Sequence, residues 1–337
     1  MKSESQRELA CGRPAYLLKR MAVGKVSMLD QIYSKARSLL SPIARHRRLW
    51  ERAKYSGTKI LPPKEGNDLI ASLVGQPAAV GKIGGTELPV FGHYLRWADS
   101  AGRCEFPDRL IKNLYFLSGV YPPESSILSR FCETFAGTLT QLDVLAVWFN
   151  FGENTARKRF AQKAAVTELR ALEPYYHDRP WTRHLAGKRV LVVSSFADTI
   201  EAQYQRRERV WGAKPEVLPG FELLTLRCPL YSFLLRAPTY PDWFAALDAM
   251  RQQMDSLRFD VAIVGAGAWS LPLVAHAKSL GAFAIHLGGA VQVLFGIKGG
   301  RWDSHPEISA LYTDAWVRPS GAETPLGVNK IEGGCYW

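Results

Sequence analysis

The sequence predicts an α/β protein: a Rossmann-like, mostly parallel sheet flanked by helices, preceded by a basic helical segment. Two observations carry this. From about residue 78 onward, short apolar runs alternate with helical stretches, which is the pattern of βαβ units. Several of these runs end in glycines or small hydroxyl residues that open a helix, as strand-to-helix turns do. The chain has 337 residues, 47% hydrophobic and 22% charged, enough for a core of ordinary size.

The first element is the basic segment, residues 1–60. It holds 14 Lys/Arg and 4 Asp/Glu and so carries +10 of the net +12. The body is nearly neutral, which argues against a nucleic-acid groove across the fold. Within the segment, residues 26–54 read as a helix. Met28, Leu29, Ile32, Tyr33, Ala36, Leu39, Leu40 and Ile43 recur at helical spacing, and Pro42 should kink or split it. Such a helix either packs on the body or lies on an anionic membrane.

The body divides at Pro174–Pro180, read as a linker, into an α/β half over 61–180 and a Rossmann-like nucleotide-binding half over 181–337. Expected strands are Ala79–Ile83, Val144–Phe149, Arg189–Ser194, Glu222–Leu226, Asp260–Val264 and Ala282–Leu287. Expected helices are Leu88–Ala101, Glu124–Thr140, Thr155–Leu172, Asp198–Trp211, Pro241–Leu257 and Leu271–Leu280. No apolar run is long enough for a membrane span. The five cysteines are scattered and form no CxxC pair, so a reducing cytoplasm is the expected compartment.

Four strand ends carry candidate chemistry. Val80–Leu88 runs into a glycine turn, Gly84-Gly85, with Glu87 at the following helix start, where the helix dipole favours a carboxylate. Glu87 is a candidate base or metal ligand, or simply a helix cap. Lys188–Asp198 ends in Ser194-Ser195 before a helix, a place where backbone N–H groups favour an anion. Phe259–Ser270 has Gly265 and Gly267 after its strand, the context of a phosphate turn. The acidic residue that a dinucleotide enzyme places about twenty residues on is missing at Ile285-His286-Leu287. Finally, His286 precedes two glycine pairs, Gly288-Gly289 and Gly299-Gly300, with Lys298 and Arg301 to neutralise a diphosphate and Trp302 to stack on a base or sugar. No nucleophile elbow, Walker loop, HExxH or kinase set is present.

These residues resemble the GT-D class of bacterial glycosyltransferases and related polysaccharide-biosynthesis proteins. Ile83-Gly84-Gly85-Thr86-Glu87 is similar to that family's Ile-Gly-Asp-Gly-Glu motif, whose Asp-x-Glu core is linked to metal and sugar nucleotide. Lys188–Ser195, Asp260–Gly267 and Gly281–Gly289 resemble its later strand–glycine units, and the likeness spans roughly residues 78–303. Where the family has the aspartate, this chain has Gly85, and only Glu87 carries over. One carboxylate is a poor Mn2+ or Mg2+ site without a further ligand or the diphosphate itself.

The resemblance implies a glycosyltransferase that moves a sugar from a nucleoside diphosphate sugar to a surface glycan, such as capsule or O-antigen, or to its lipid carrier. Glu87 would be catalytic and would hold any Mn2+ or Mg2+. Gly84, Gly85, Ser194, Ser195, Gly265, Gly267, His286, Gly288, Gly289, Lys298 and Arg301 would surround the donor. The alternative is a non-catalytic nucleotide- or glycan-binding protein on the same fold. The expected place is the cytoplasm, with the basic segment suited to the anionic inner-membrane surface and no nucleic-acid partner.

Overall fold

The computed structural model describes residues 46–97, 104–230 and 238–337. Residues 46–53 are helical; the rest of the basic helix expected over 26–54, with its Pro42 kink, lies outside the described residues, as do 98–101 of the expected Leu88–Ala101 helix. Lys54–Trp337 forms one compact unit, distinct from Met1–Ala53.

The body is built on one eight-stranded sheet, parallel throughout. Its strands are β1 (Ile60–Leu61), β2 (Ala78–Lys82), β3 (Val144–Val147), β4 (Ala165–Glu168), β5 (Arg189–Ser194), β6 (Glu222–Arg227), β7 (Val261–Gly265) and β8 (Phe283–His286). Their order is β1-β4-β3-β2-β8-β7-β5-β6. Both expected halves therefore feed the same sheet. The Pro174–Pro180 stretch is packed rather than free: Pro174 and Tyr175 are buried, and Asn67 donates to the Arg179 carbonyl at 2.9 Å.

The helices are α1 (Pro63–Leu73), α2 (Glu87–Trp97), α3 (Asp108–Ser118), α4 (Ser125–Leu139), α5 (Glu153–Phe160), α6 (Ala197–Tyr204), α7 (Arg207–Val210), α8 (Trp243–Asp255), α9 (Ser270–Ser279), α10 (Ala290–Leu294), α11 (Gly300–Asp303) and α12 (Pro306–Ser309). They cover both faces, because strand side chains alternate. Leu191 and Val193 of β5 join a core with Phe91, Phe131, Met250 and Val274. Val190 and Val192 join the opposite core with Ile70, Ile200, Trp211 and Phe295. All four of these β5 residues are fully buried, as strands of a doubly covered parallel sheet must be.

Adjacent strands that send their next helices to opposite faces leave a crevice at their carboxyl ends. One such place lies between β2 and β8. The chain leaving β2 enters α2, whose Leu88 and Phe91 lie in the first core, whereas neighbouring β8 feeds α10, whose Val291 and Leu294 lie in the second. Likewise β5 feeds α6 in the second core, and neighbouring β7 feeds α9 in the first.

Candidate active site

The β2/β8 crevice gathers the reactive side chains. Glu87 opens α2 and is 8% exposed. Its carboxylate folds back over Gly84 so closely that a Cβ there would sit 1.8 Å from Oε2. Glycine at 84 is therefore what lets Glu87 take this position. Burial pushes the Glu87 carboxyl above its ordinary range; the Ser118 hydroxyl, the Lys82 charge and the Thr86 and Glu87 N–H groups pull the other way.

His286, at the end of β8, is 7% exposed, and its Nδ1 lies 3.2 Å from the Lys82 carbonyl. Burial and the nearby Lys82 hold the imidazole well below its usual range, so it is neutral. A neutral ring on a carbonyl places the proton on Nδ1 and leaves Nε2 as an acceptor. The next turn needs Gly288, at φ +59°; a Cβ there would lie 3.1 Å from Lys82 Nζ and 3.3 Å from His286 Nε2. The two nitrogens thus face one small space.

Lys82 ends β2 half-buried, with Nζ 5.1 Å from the centre of the Trp148 ring. Among the described residues its ammonium forms no ion pair or hydrogen bond. Burial pushes it below its usual range, opposed by the charges of Glu173 and Glu87 and aided by Arg301. Burial likewise raises the Glu173 carboxyl.

Trp148 is set by the loop after β3. Its indole N–H donates to the Ile83 carbonyl at 2.9 Å. The loop turns through Phe149 at φ +60°, a left-handed conformation that disfavours a non-glycine residue by about 1 kcal/mol. Glu153, fully buried in the first turn of α5, holds it there by accepting the Phe149 N–H at 2.8 Å and the Tyr55 hydroxyl at 3.3 Å. The turn brings Asn150 beside Trp148. A Cβ at Gly85 would meet nothing nearer than 3.9 Å, with Asn150 Nδ2 and the Trp148 edge as its neighbours. Gly85 is exposed, and a side-chain carbon there would just touch the indole edge and the amide. Asn150 Nδ2 is buried and has no hydrogen-bond partner among the described residues.

On the β8 side, Gly289 is overlaid by Trp302, Tyr336 and Arg301, which would lie 3.3, 3.3 and 3.6 Å from a Cβ there. Arg301 stacks on Tyr336 at 4.5 Å, and Trp302 donates to Gln292 at 3.1 Å. Gly84, Gly85, Glu87, His286, Gly288, Gly289 and Arg301 are thus together, as expected. Lys82, Trp148, Asn150 and Glu173 join them. Trp148 and Asn150 belong to the run Trp148–Asn154, whose aromatic and amide side chains suit sugar recognition although such spacing is more often core. A lysine at a strand end reads as a solvated tip, and Glu173 stands between an expected helix and the expected linker.

The remaining expected residues are elsewhere or engaged. Ser194 Oγ accepts the Phe196 N–H at 3.2 Å. The start of α6 beyond Ser195 is capped by the chain's own carboxylate: Glu323 accepts the Asp198 N–H at 2.8 Å and the Thr199 N–H at 3.2 Å, and bonds the Thr199 hydroxyl. Gly265 serves close packing, since a Cβ there would lie 2.7 Å from the Gly288 carbonyl oxygen. Gly267 is covered by Leu230 and the Ser118 carbonyl, 2.6 and 2.9 Å from a Cβ position. The Lys298 ammonium rests over the Tyr312 ring at 5.2 Å. The β5/β7 crevice is thus lined by the protein's own groups at the places where phosphate was expected.

Among the described residues no three His, Cys, Asp or Glu side chains are grouped to hold a metal. Glu87 is the carboxylate expected to do so, and it shares its space with the Lys82 ammonium; this donor set does not fit Mn2+ or Mg2+, which need several oxygen ligands. Among the described residues, too, no helix is long and apolar enough to cross a membrane.

No family model matches the chain, and no curated protein matches it. Two solved structures are similar. One is described as the highly conserved domain of unknown function 1792, with a distinct glycosyltransferase fold; it is 14% identical with a TM-score of 0.41, covering 72% of this chain and 82% of that one. The other is a selenomethionine-substituted structure of domain of unknown function 1792, 14% identical with a TM-score of 0.42 and the same coverage.

Proposed function

We propose that the protein is a glycosyltransferase that moves a sugar from a nucleoside diphosphate sugar to a surface glycan or its lipid carrier. The observation that supports this most is the group around exposed Gly85: an indole, an amide and a lysine ammonium near a buried carboxylate at the β2/β8 crevice. Aromatic walls suit sugar rings, and cations suit diphosphates. In the transfer, the acceptor oxygen forms the bond to the anomeric carbon and the phosphate oxygen leaves with its bonding pair. The Glu87 carboxylate, made a stronger base by burial, takes the acceptor's proton. His286 Nε2 accepts from a sugar hydroxyl. The basic residues 1–60 would hold the enzyme at the anionic surface where lipid-linked acceptors reside.

Gly85, standing where the resembled family has an aspartate, favours a second reading: a nucleotide- or glycan-binding protein without turnover. Thermal shifts against UDP, GDP, CMP and NAD, followed by incubation of any stabilising nucleotide's sugar conjugates with glycan acceptors, test both. Stabilisation by a nucleoside diphosphate with release of that diphosphate is the expected result. Stabilisation without release favours the binding protein, and stabilisation by NAD alone rejects both.

A further inference from the structure

Two buried or half-buried donors in the crevice have no acceptor among the described residues. Lys82 Nζ lies over the Trp148 ring with no ion pair or hydrogen bond among the described residues. Asn150 Nδ2 is buried without a partner and lies 3.9 Å from where a Gly85 Cβ would stand; the Trp148 edge is equally near that point. Leaving such groups unpaired is costly, more so when charged. Trp148 neighbours both, its ring beneath the ammonium and its edge near the amide beside exposed Gly85. A group with several acceptor oxygens and negative charge satisfies both at once.

We propose that Lys82 and Asn150 form the anion-binding element for the leaving diphosphate, in place of a divalent cation. The inference rests on the glycosyl-transfer reading and specifies how its site meets the leaving group. In the transfer, the departing phosphate oxygen takes the bonding pair, and the ammonium and amide N–H groups stabilise that charge without a proton having to move. Among the described residues neither Glu87 nor Glu173 forms an ion pair with the ammonium, which leaves it available to an anion. A lone carboxylate beside an ammonium is a poor cation cage but a workable neighbour for a base.

Calorimetric titration of UDP and GDP into the EDTA-treated full-length protein tests this. The expected result is binding by one of them that added Mn2+ changes by less than about threefold. Lys82→Met and Asn150→Ala should each weaken it about tenfold or more. Glu87→Gln should leave it unchanged or tighter, since a negative charge near the phosphates is removed; a metal-ligand role would weaken it instead. Melting curves show whether the variants fold, and if Lys82→Met does not, Asn150→Ala at the margin of the crevice decides. Binding that disappears with EDTA and returns with Mn2+, or that both variants leave intact, overturns the inference while the glycosyl-transfer reading stands. No binding of either nucleotide, with or without Mn2+, overturns that reading and the inference with it.

Discussion

Glu323 accepts the backbone N–H of Asp198 at 2.8 Å across 125 residues of chain. It thereby supplies the negative charge that the start of α6 attracts. Glu323→Ala would leave the Asp198 and Thr199 N–H groups without their carboxylate, at a cost of about 2 kcal/mol. Added sulfate should recover part of that loss, raising the melting temperature of the variant more than that of the parent. Equal shifts for the two proteins would mean that the charge of Glu323 is not what the helix start requires.

Glu153 makes stability depend on pH. Burial pushes its carboxyl up to about 7, although the Trp148, Phe149 and Asn150 N–H groups and the Tyr55 hydroxyl oppose the shift. Its folded-state value lies above the unfolded one, so the folded protein binds the extra proton between roughly pH 4.5 and 7. Stability from this group is therefore present at low pH and lost as pH rises through that window, by about 3 kcal/mol. Urea midpoints of the parent should fall relative to those of Glu153→Gln between about pH 5 and pH 8. A constant difference between the two proteins would contradict the assignment.

The contact between Gly84 and Glu87 can be broken without touching the carboxylate itself. A Cβ at 84 would stand 1.8 Å from Glu87 Oε2, at the far end of a side chain able to swing away. Gly84→Ala should fold with little change in melting temperature, yet lose transfer activity about 100-fold, as Glu87→Gln should. Activity near the parent level in both variants would leave Glu87 as a helix cap alone.

The basic segment is tested separately. Each Lys or Arg near an anionic surface contributes about 1 kcal/mol, and the attraction fades within a Debye length. With +10 concentrated in residues 1–60, the full chain should sediment with anionic vesicles at low salt, be released by salt, and fail to sediment when residues 1–54 are deleted. A full-length protein that stays in the supernatant at low salt rejects the membrane role.

Strands with long apolar runs were legible in the sequence. Arg189–Ser194 is found with the bounds its apolar run implied, and β2, β3, β6, β7 and β8 lie within two residues of expectation. β4 was not: Ala165–Glu168 has only Val166 and Thr167 buried, and its four residues read as the tail of a helix expected over Thr155–Leu172. That helix ends at Phe160. β1 has two residues, too few for any periodicity. The site was legible where glycine marks a strand end, as at 84, 85, 288 and 289. Lys82 was missed because its surroundings come from Trp148 and Arg301, distant in sequence. Glu323 was missed for the same reason: it lies in irregular chain more than a hundred residues from the helix it caps. Ser195, Gly267 and Lys298 stood at plausible junctions, but their neighbours are set by packing that no local pattern encodes.

The place of β8 governs when the crevice can exist. β1–β4 form one contiguous ribbon and β5–β7 another, and β8 is the wedge that pairs with β2 on one side and β7 on the other. Until it inserts, the two ribbons have no shared edge, and the wall carrying His286 and Gly288 is not beside Lys82 and Glu87. A nascent chain still short of residue 283 holds most of its hydrophobic mass but no crevice. The wall of His286 and Gly288 is therefore a property of the finished sheet, and a partly synthesised or clipped chain lacks it even where Lys82 and Glu87 are in place.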